Sequence, residues 1–302
     1  MNGIINLLKP PGITSAQAVA VVKRITGAKA GHAGTLDPEA CGVLPIMVGR
    51  ATRLFDYLTE KEKVYVAHVS FTGASDTQDA TGTLIQADRG CPDEGELRAM
   101  LPRFTGNIMQ RPPAFSALKQ GGVTLYTLAR RGLQVQAAER LTVIKRIDVL
   151  RPVMPEGWLL RITCGKGTYI RTLCHDIGQM LGKPAHMRLL IREQSGPFCI
   201  DTAITLEELE NKWGEPTCGP WLVSMPQVLG HLPRLTVPDA MLKQCINGVP
   251  LQPSLLADGK IEEGMPVTLF CGGQLIGVWS LREGMLRPRT MLTSGSEVDT
   301  GK

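Results

Sequence analysis

The stretch GHAGTLDPEACGVLPIMVG, residues 31–49, places a single carboxylate, Asp37, on a glycine-punctuated loop. Pro38 biases Asp37 away from helix and towards extended backbone. Gly31, Gly34 and Gly42 let the chain turn sharply and let a ligand come close. A carboxylate presented in this way can act as a nucleophile or a base. It can equally be a loop aspartate closing an Asx turn. His32, just upstream, can stack on RNA or donate a hydrogen bond to it, or serve structure alone.

A second candidate lies in GTYIRTLCHDIGQMLG, residues 167–182. Ile170, Leu173, Cys174, Ile177 and Leu181 form an apolar stripe at helical spacing. Thr168, Arg171 and His175 then share the other side. A cation in the first helical turn opposes the helix dipole. Arg171 therefore calls for something anionic, a carboxylate or a phosphate; the alternative is a solvated arginine. Tyr65 sits on the core-like face of a strand pattern and either packs there or stacks on a base.

These residues need a frame. KPPGITS resists helix at Pro10 and Pro11, and Ser15 reads as the N-cap of AQAVAVVKRIT, with Val19, Val22 and Ile25 on one face and Gly27 ending it. KVYVAHVSFTG, residues 63–73, alternates Tyr65, Ala67, Val69 and Phe71 as a strand. SDTQDATG is turn chemistry, and TLIQA returns as a second strand. DEGELRAMLPRF is a short helix opened by acids, and GGVTLYTLARRG, residues 121–132, is another between glycines. RLTVIKRIDVLRP and WLLRITCG are strands, and AHMRLLIREQSGPF is a strand ending in a turn. The Pro- and Gly-rich passage 218–235 reads as a linker. Beyond it come a helix, DAMLKQCING, and a hairpin turning at Gly272-Gly273. Strands mixed with helices, without regular βαβ alternation, predict an α+β fold with an antiparallel-rich sheet and a small β-rich tail.

Composition bounds the rest. The chain has 302 residues, 43% of them hydrophobic, which suits one large domain plus a small one. A net charge of +5 permits an anionic partner such as RNA without demanding one. The eight cysteines include no C-x-x-C pair, so no metal spacing is present and they read as small buried hydrophobes. The N-terminus lacks a charged n-region, and no apolar run reaches membrane-span length. A reducing cytoplasm is the expected compartment. CGKGT at 164–168 fails as a phosphate loop, because Gly167 follows the lysine where Ser or Thr is needed, and no G-x-G-x-x-G opens a helix.

Six blocks, in order, carry a family resemblance: KPPGITS, GHAGTLDPEACGVLPIMVGRATRL, KVYVAHVSFTGASDTQDATG, RPPAFSALKQGGVTLYTLARRG, GKGTYIRTLCHDIGQMLG and AHMRLLIREQSGPF. Together, over residues 3–210, they closely resemble the TruB family, bacterial tRNA pseudouridine-55 synthases. Residues 232–292, ending in LRPRTML, resemble the small PUA-type RNA-binding domain of such enzymes. The resemblance implies a pseudouridine-synthase fold with a central mixed, mostly antiparallel sheet flanked by helices over 1–230, and a PUA-like domain over 231–302. It implies an enzyme that isomerises uridine in the T-stem-loop of tRNA without metal or cofactor; a monomer is the expected state, since the sequence shows no coiled coil or extended apolar helix face for pairing. Asp37 matches the catalytic aspartate, Tyr65 the tyrosine that stacks on the target base and takes its proton, and Arg171 the arginine paired with the aspartate. His32, Tyr169 and Leu190 match positions that contact the flipped nucleotide or shape its pocket, and Lys9 a lysine supporting the active-site loop.

Arg50, Phe115 and Ile191 depart from the family, standing where an acid, a tyrosine and an arginine are expected. Lys9, Lys23, Lys119, Lys166 and Arg130 are expected to meet phosphates. Two other readings compete. One is a non-catalytic tRNA-binding or tRNA-folding protein. The other is a carboxylate-dependent glycosyl hydrolase or transferase, which needs a second acid. Asp76 and Asp79 are the nearby candidates for it, and they read better as structural turn residues.

Overall fold

The computed structural model describes residues 2–59, 61–86, 90–116, 118–131, 133, 137–215, 219–253 and 261–293. Its larger sheet has ten strands. In chain order they include β1 (Gly3–Lys9), β2 (Ala30–His32), β3 (Cys41–Val48), β4 (Lys63–Ser70), β5 (Gly106–Gln110), β6 (Arg140–Val153), β7 (Gly157–Cys164), β8 (His186–Ser195) and β9 (Leu222–Val223). The spatial order is β9-β1-β3-β8-β4-β7-β6-β5, with β2 on β3 and the short strand Phe198–Cys199 on β8. Every pairing is antiparallel except β3 with β8. Helices α1 (Ser15–Thr26), α2 (Ile170–Met180) and α3 (Leu206–Lys212) pack on the sheet. A separate sheet of four strands follows: β10 (Arg234–Val237), β11 (Pro266–Cys271), β12 (Gln274–Arg282) and β13 (Met285–Met291). This is the α+β architecture expected. Among the described residues no helix is long and apolar enough to cross a membrane.

β4 explains where the core sits. The alternation predicted Tyr65, Ala67, Val69 and Phe71 inside, and all four are buried. Val66, His68 and Ser70 on its other face are buried too. The strand is central in the sheet, flanked by β8 and β7, and the side chains on both of its faces are buried.

Four local readings change. Thr14, not Ser15, caps α1, in a capping box with Gln17. Ser15 is claimed elsewhere: its Oγ donates to Leu36 O and accepts from Leu36 N, both at 2.9 Å. The segment 121–132 is helical only from Leu125, because Gly121 and Gly122, at φ 59° and 84°, turn a small hairpin between Lys119–Gln120 and Val123–Thr124. The passage 218–235 is more than a linker. Leu222 and Val223 pair with β1, and Val228 and Leu229 are buried against Ala33, Val43 and Phe270. The helix after it shortens to Leu242–Ile246, preceded by a 3₁₀ turn. The expected hairpin turns at Gly272 and Gly273, both at positive φ.

The parallel contact of β3 with β8 is local, and one glycine makes it possible. Gly42 lies opposite Arg192 at φ 107°, and a Cβ there would stand 2.3 Å from Arg192 O. Gly42→Ala should lower the unfolding free energy by about 3 kcal/mol, from left-handed strain and backbone overlap together. Urea denaturation checks this; a loss below about 1 kcal/mol would show that the strands part without cost.

Candidate active site

The Asp37 loop spans residues 33–40, between β2 and β3, and buried donors fix it. Lys9 at the end of β1 is fully buried. Its Nζ donates to Pro10 O at 2.7 Å, Pro38 O at 2.9 Å and Ala40 O at 2.7 Å. Three carbonyls thus satisfy all three ammonium protons, which is what a lysine so placed requires. Burial holds the ammonium below the ordinary lysine value, while Cys41, Glu39 and Asp37 oppose that pull. Lys9 therefore anchors the loop and is not free to meet phosphate. Ser15 pins Leu36, and Ala40 N closes a turn onto Asp37 O at 3.1 Å.

Helix α2 brings the cation. Tyr169 is its N-cap and lends no side-chain bond. Gln110 of β5, itself buried, takes over: its Oε1 accepts from Tyr169 N at 3.0 Å and its Nε2 donates to Tyr169 O at 3.2 Å. The apolar stripe Ile170, Leu173, Cys174 and Ile177 is buried against the sheet. Arg171 points from the non-stripe side to the Asp37 loop and is itself buried. Its Nε and Nη2 reach the two Asp37 oxygens at 3.1 and 3.2 Å, a bidentate pair. Its Nη1 lies 3.3 Å from Asp79 Oδ2, and Nη2 donates to Phe115 O at 3.0 Å. The cation in the first turn is therefore offset by two carboxylates.

Asp79 is the residue the sequence reading set aside as structural. Its Oδ1 does hold the turn, accepting from Thr77 Oγ1 at 2.7 Å, Thr81 N at 3.0 Å and Thr81 Oγ1 at 2.6 Å. Its Oδ2 is spent on Arg171. Asp76 stays in the turn, accepting from Thr83 N.

The balance at Asp37 differs from a simple ion pair. Its side chain is 35% exposed, but burial still pushes its carboxyl above the ordinary aspartate value. Arg171 opposes this most, Asp79 adds to it, and Lys9 opposes it weakly. The arginine does not set the direction, because desolvation and a second carboxylate outweigh it. The result is a carboxylate with more proton affinity than a solvated one.

Strands β4 and β8 carry Tyr65 and Leu190. Tyr65 lies opposite Arg192, and Leu190 opposite Ala67, so all four share one face. Tyr65 and Leu190 are nearly buried. Burial pushes the Tyr65 hydroxyl up; the guanidinium of Arg192 opposes this, and Cys164 and Asp37 add to it. Burial also raises Tyr169, with Arg140 and Arg171 opposing. His32, on β2, has a buried Nδ1 without a partner among the described residues. Burial first, and then Arg192, hold it low and so neutral.

The structure thus brings Arg171 onto Asp37, anchors the Asp37 loop through Lys9, sets Tyr169 at the start of the helix that carries Arg171, and places Tyr65 and Leu190 on adjacent strands and His32 on the strand that leads into the loop. Sequence reading missed Asp79 and Arg192. Of the departures, Phe115 contributes its carbonyl to Arg171, and Arg50 reaches Leu292 O in the last described turns at 3.3 Å. Lys23 and Lys166 are exposed; the side chains of Lys119 and Arg130 lie outside the described residues.

Comparison with known proteins adds a context for this arrangement. The model of the TruB family pseudouridylate synthase N-terminal domain matches residues 23–170, and that of the tRNA pseudouridylate synthase B C-terminal domain matches 171–217. The tRNA pseudouridine synthase B of Bacillus licheniformis is 38% identical over 306 residues, spanning 98% of this chain and 99% of the relative. That of Symbiobacterium thermophilum is 44% identical, spanning 82% of this chain and 83% of the relative. Among solved structures, a chain of a Cbf5-Nop10-Gar1 complex superposes with a TM-score of 0.74 at 29% identity, spanning 97% of this chain and 86% of that one.

Proposed function

This chain belongs to the TruB family of pseudouridylate synthases, and we propose that it isomerises uridine to pseudouridine at position 55, in the T-arm loop of tRNA. The observation that carries this reading is the bidentate Asp37–Arg171 pair. The reaction breaks the N-glycosidic bond, turns the uracil, and joins C5 to the sugar. The base lies within a folded arm and must be flipped out, at a cost of a few kcal/mol. Stacking on Tyr65 offsets that cost, with Leu190, Tyr169 and His32 shaping the pocket. Asp37, ionised and oriented by Arg171, attacks the ribose or promotes loss of the uracil. The isomerisation has no net redox change, so its chemistry calls for neither metal nor cofactor.

We take residues 1–230 as the catalytic domain and 231–302 as a PUA-like RNA-binding unit of a cytoplasmic monomer. Exposed Arg234, Arg282, Arg287 and Arg289 on its strands suit a phosphate backbone. Arg234 lies over the Phe270 ring, its Cζ 3.9 Å from the centroid.

The test is release of tritium from tRNA transcripts labelled at uracil C5. Release, with pseudouridine mapped to position 55, supports the reading. Tight tRNA binding without release would support a folding or binding role instead. Free sugars and nucleosides as substrates would favour the hydrolase.

The pH profile follows from the direction of the Asp37 shift. The reaction uses the ionised carboxylate, so activity falls as pH drops through a value raised above the ordinary aspartate one. The acid limb of kcat/KM should accordingly lie above the usual aspartate range. An acid limb below that range would show Arg171 dominating in the free enzyme.

A further inference from the structure

We propose that Arg192 is a positioning residue for this isomerisation: its guanidinium, fixed between the two ends of the Asp37 loop, holds the Tyr65 oxygen ready to take the C5 proton of the turned uracil. This rests on the function proposed above.

Arg192 has no exposed surface. Among the described residues it has no carboxylate partner within ion-pair distance, which is costly for a buried cation. Its Nε donates to Val43 O at 2.7 Å and its Nη2 to Gly34 O at 3.1 Å. These carbonyls flank the Asp37 loop, one on each side. A guanidinium carries five N–H donors in a rigid fork, so bonds to two carbonyls leave donors over. On the neighbouring strand, directly across the ladder, stands Tyr65, with Ile162 on its far side. A strut for the loop needs donors but no charge. A full charge kept in this dry place, beside a phenol, is what stabilising that phenol's anion needs.

The step balances as a proton shift. Once C5 has joined the sugar, it carries both that carbon and its hydrogen. The Tyr65 phenolate takes the C5 proton. The C5–H electron pair becomes the C5=C6 double bond, and the displaced C6=N1 pair returns to N1, which takes a proton from solvent. Tyr65 then returns its proton to solvent. The titratable groups facing the phenol are Arg192 from β8, Cys164 from β7 and Asp37 from the loop. Of these, only Arg192 favours the anion.

The experiment uses the full chain and tRNA transcripts carrying protium or deuterium at uracil C5, in single turnover. Arg192→Met should slow turnover by about 100-fold, the scale of one acid–base contribution, and Arg192→Lys by less. Deuterium should slow both variants by a larger factor than it slows the wild type, while filter binding of tRNA stays unchanged. Slowed variants with the deuterium sensitivity of the wild type would overturn the proposal and leave Arg192 a loop strut. If Arg192→Met does not fold, Arg192→Lys decides alone by the same criterion. A wild type that turns over, with variants equal to it, removes only this proposal. A wild type that never turns over removes the proposed function with it.

Discussion

Arg171→Met yields a protein that has lost about 1,000-fold or more of its isomerisation rate and is destabilised more at neutral pH than in mild acid. The guanidinium bridges the carboxylates of Asp37 and Asp79 and takes two carbonyls besides. Methionine fills the volume but leaves the two acids facing each other. Breaking a buried pair from one side typically costs about 3–5 kcal/mol, and the open side of Asp37 moves this case to the lower end. Asp37 already binds its proton more tightly folded than unfolded, and loss of Arg171 strengthens that. Such a group adds stability in acid and loses it as pH rises through the folded value. The gap between wild type and variant in thermal denaturation should therefore widen from mild acid to neutrality. An even gap across that range would show the carboxylates to be relaxed apart. Arg171→Lys restores charge but not the fork, so it recovers part of the stability and little of the rate.

The parts of this site legible in sequence were those in which one residue broke a local rule. Arg171 stood out because a cation in a first helical turn needs an anion, and the anion is Asp37. Asp37 stood out because glycines and a proline isolated it on a loop. Asp79 was half read. The turn bonds inferred for it are real, but they use one oxygen, and sequence gives no means of seeing what the second reaches. Arg192 was invisible for a related reason. In AHMRLLIREQS its spacing is that of any strand arginine, and the contacts that enclose it, with Gly34, Gly42 and Val43, are made in three dimensions.

Capping shows the same limit at smaller scale. Thr14 and Ser15 are both good caps, and sequence preferred Ser15. Leu36, twenty-one positions along, decides the matter by engaging Ser15 from both sides. The passage 218–235 reads as a linker because prolines and glycines dominate it, yet Leu222 and Val223 complete the edge beside β1. In each instance local chemistry was right about what a residue can do, and a distant partner chose among its options.

Asp37→Asn should separate chemistry from folding most sharply. With the carboxylate gone, neither attack on the ribose nor assisted loss of uracil has an agent, and turnover falls by about 10,000-fold or more, the usual scale for a lost nucleophile. Stability should move the other way or not at all. A carboxyl pushed above its unfolded value costs folding when it ionises, so at neutral pH its charge is a burden carried for function. Asparagine removes that charge and keeps an acceptor for Arg171. The thermal midpoint at neutral pH should therefore equal or exceed that of the wild type, and tRNA binding should persist, since Lys9 and Ser15 still fix the loop. A variant that loses activity only in proportion to lost folding would make Asp37 a structural residue. One that keeps turnover within about tenfold of the wild type would remove it from the chemistry.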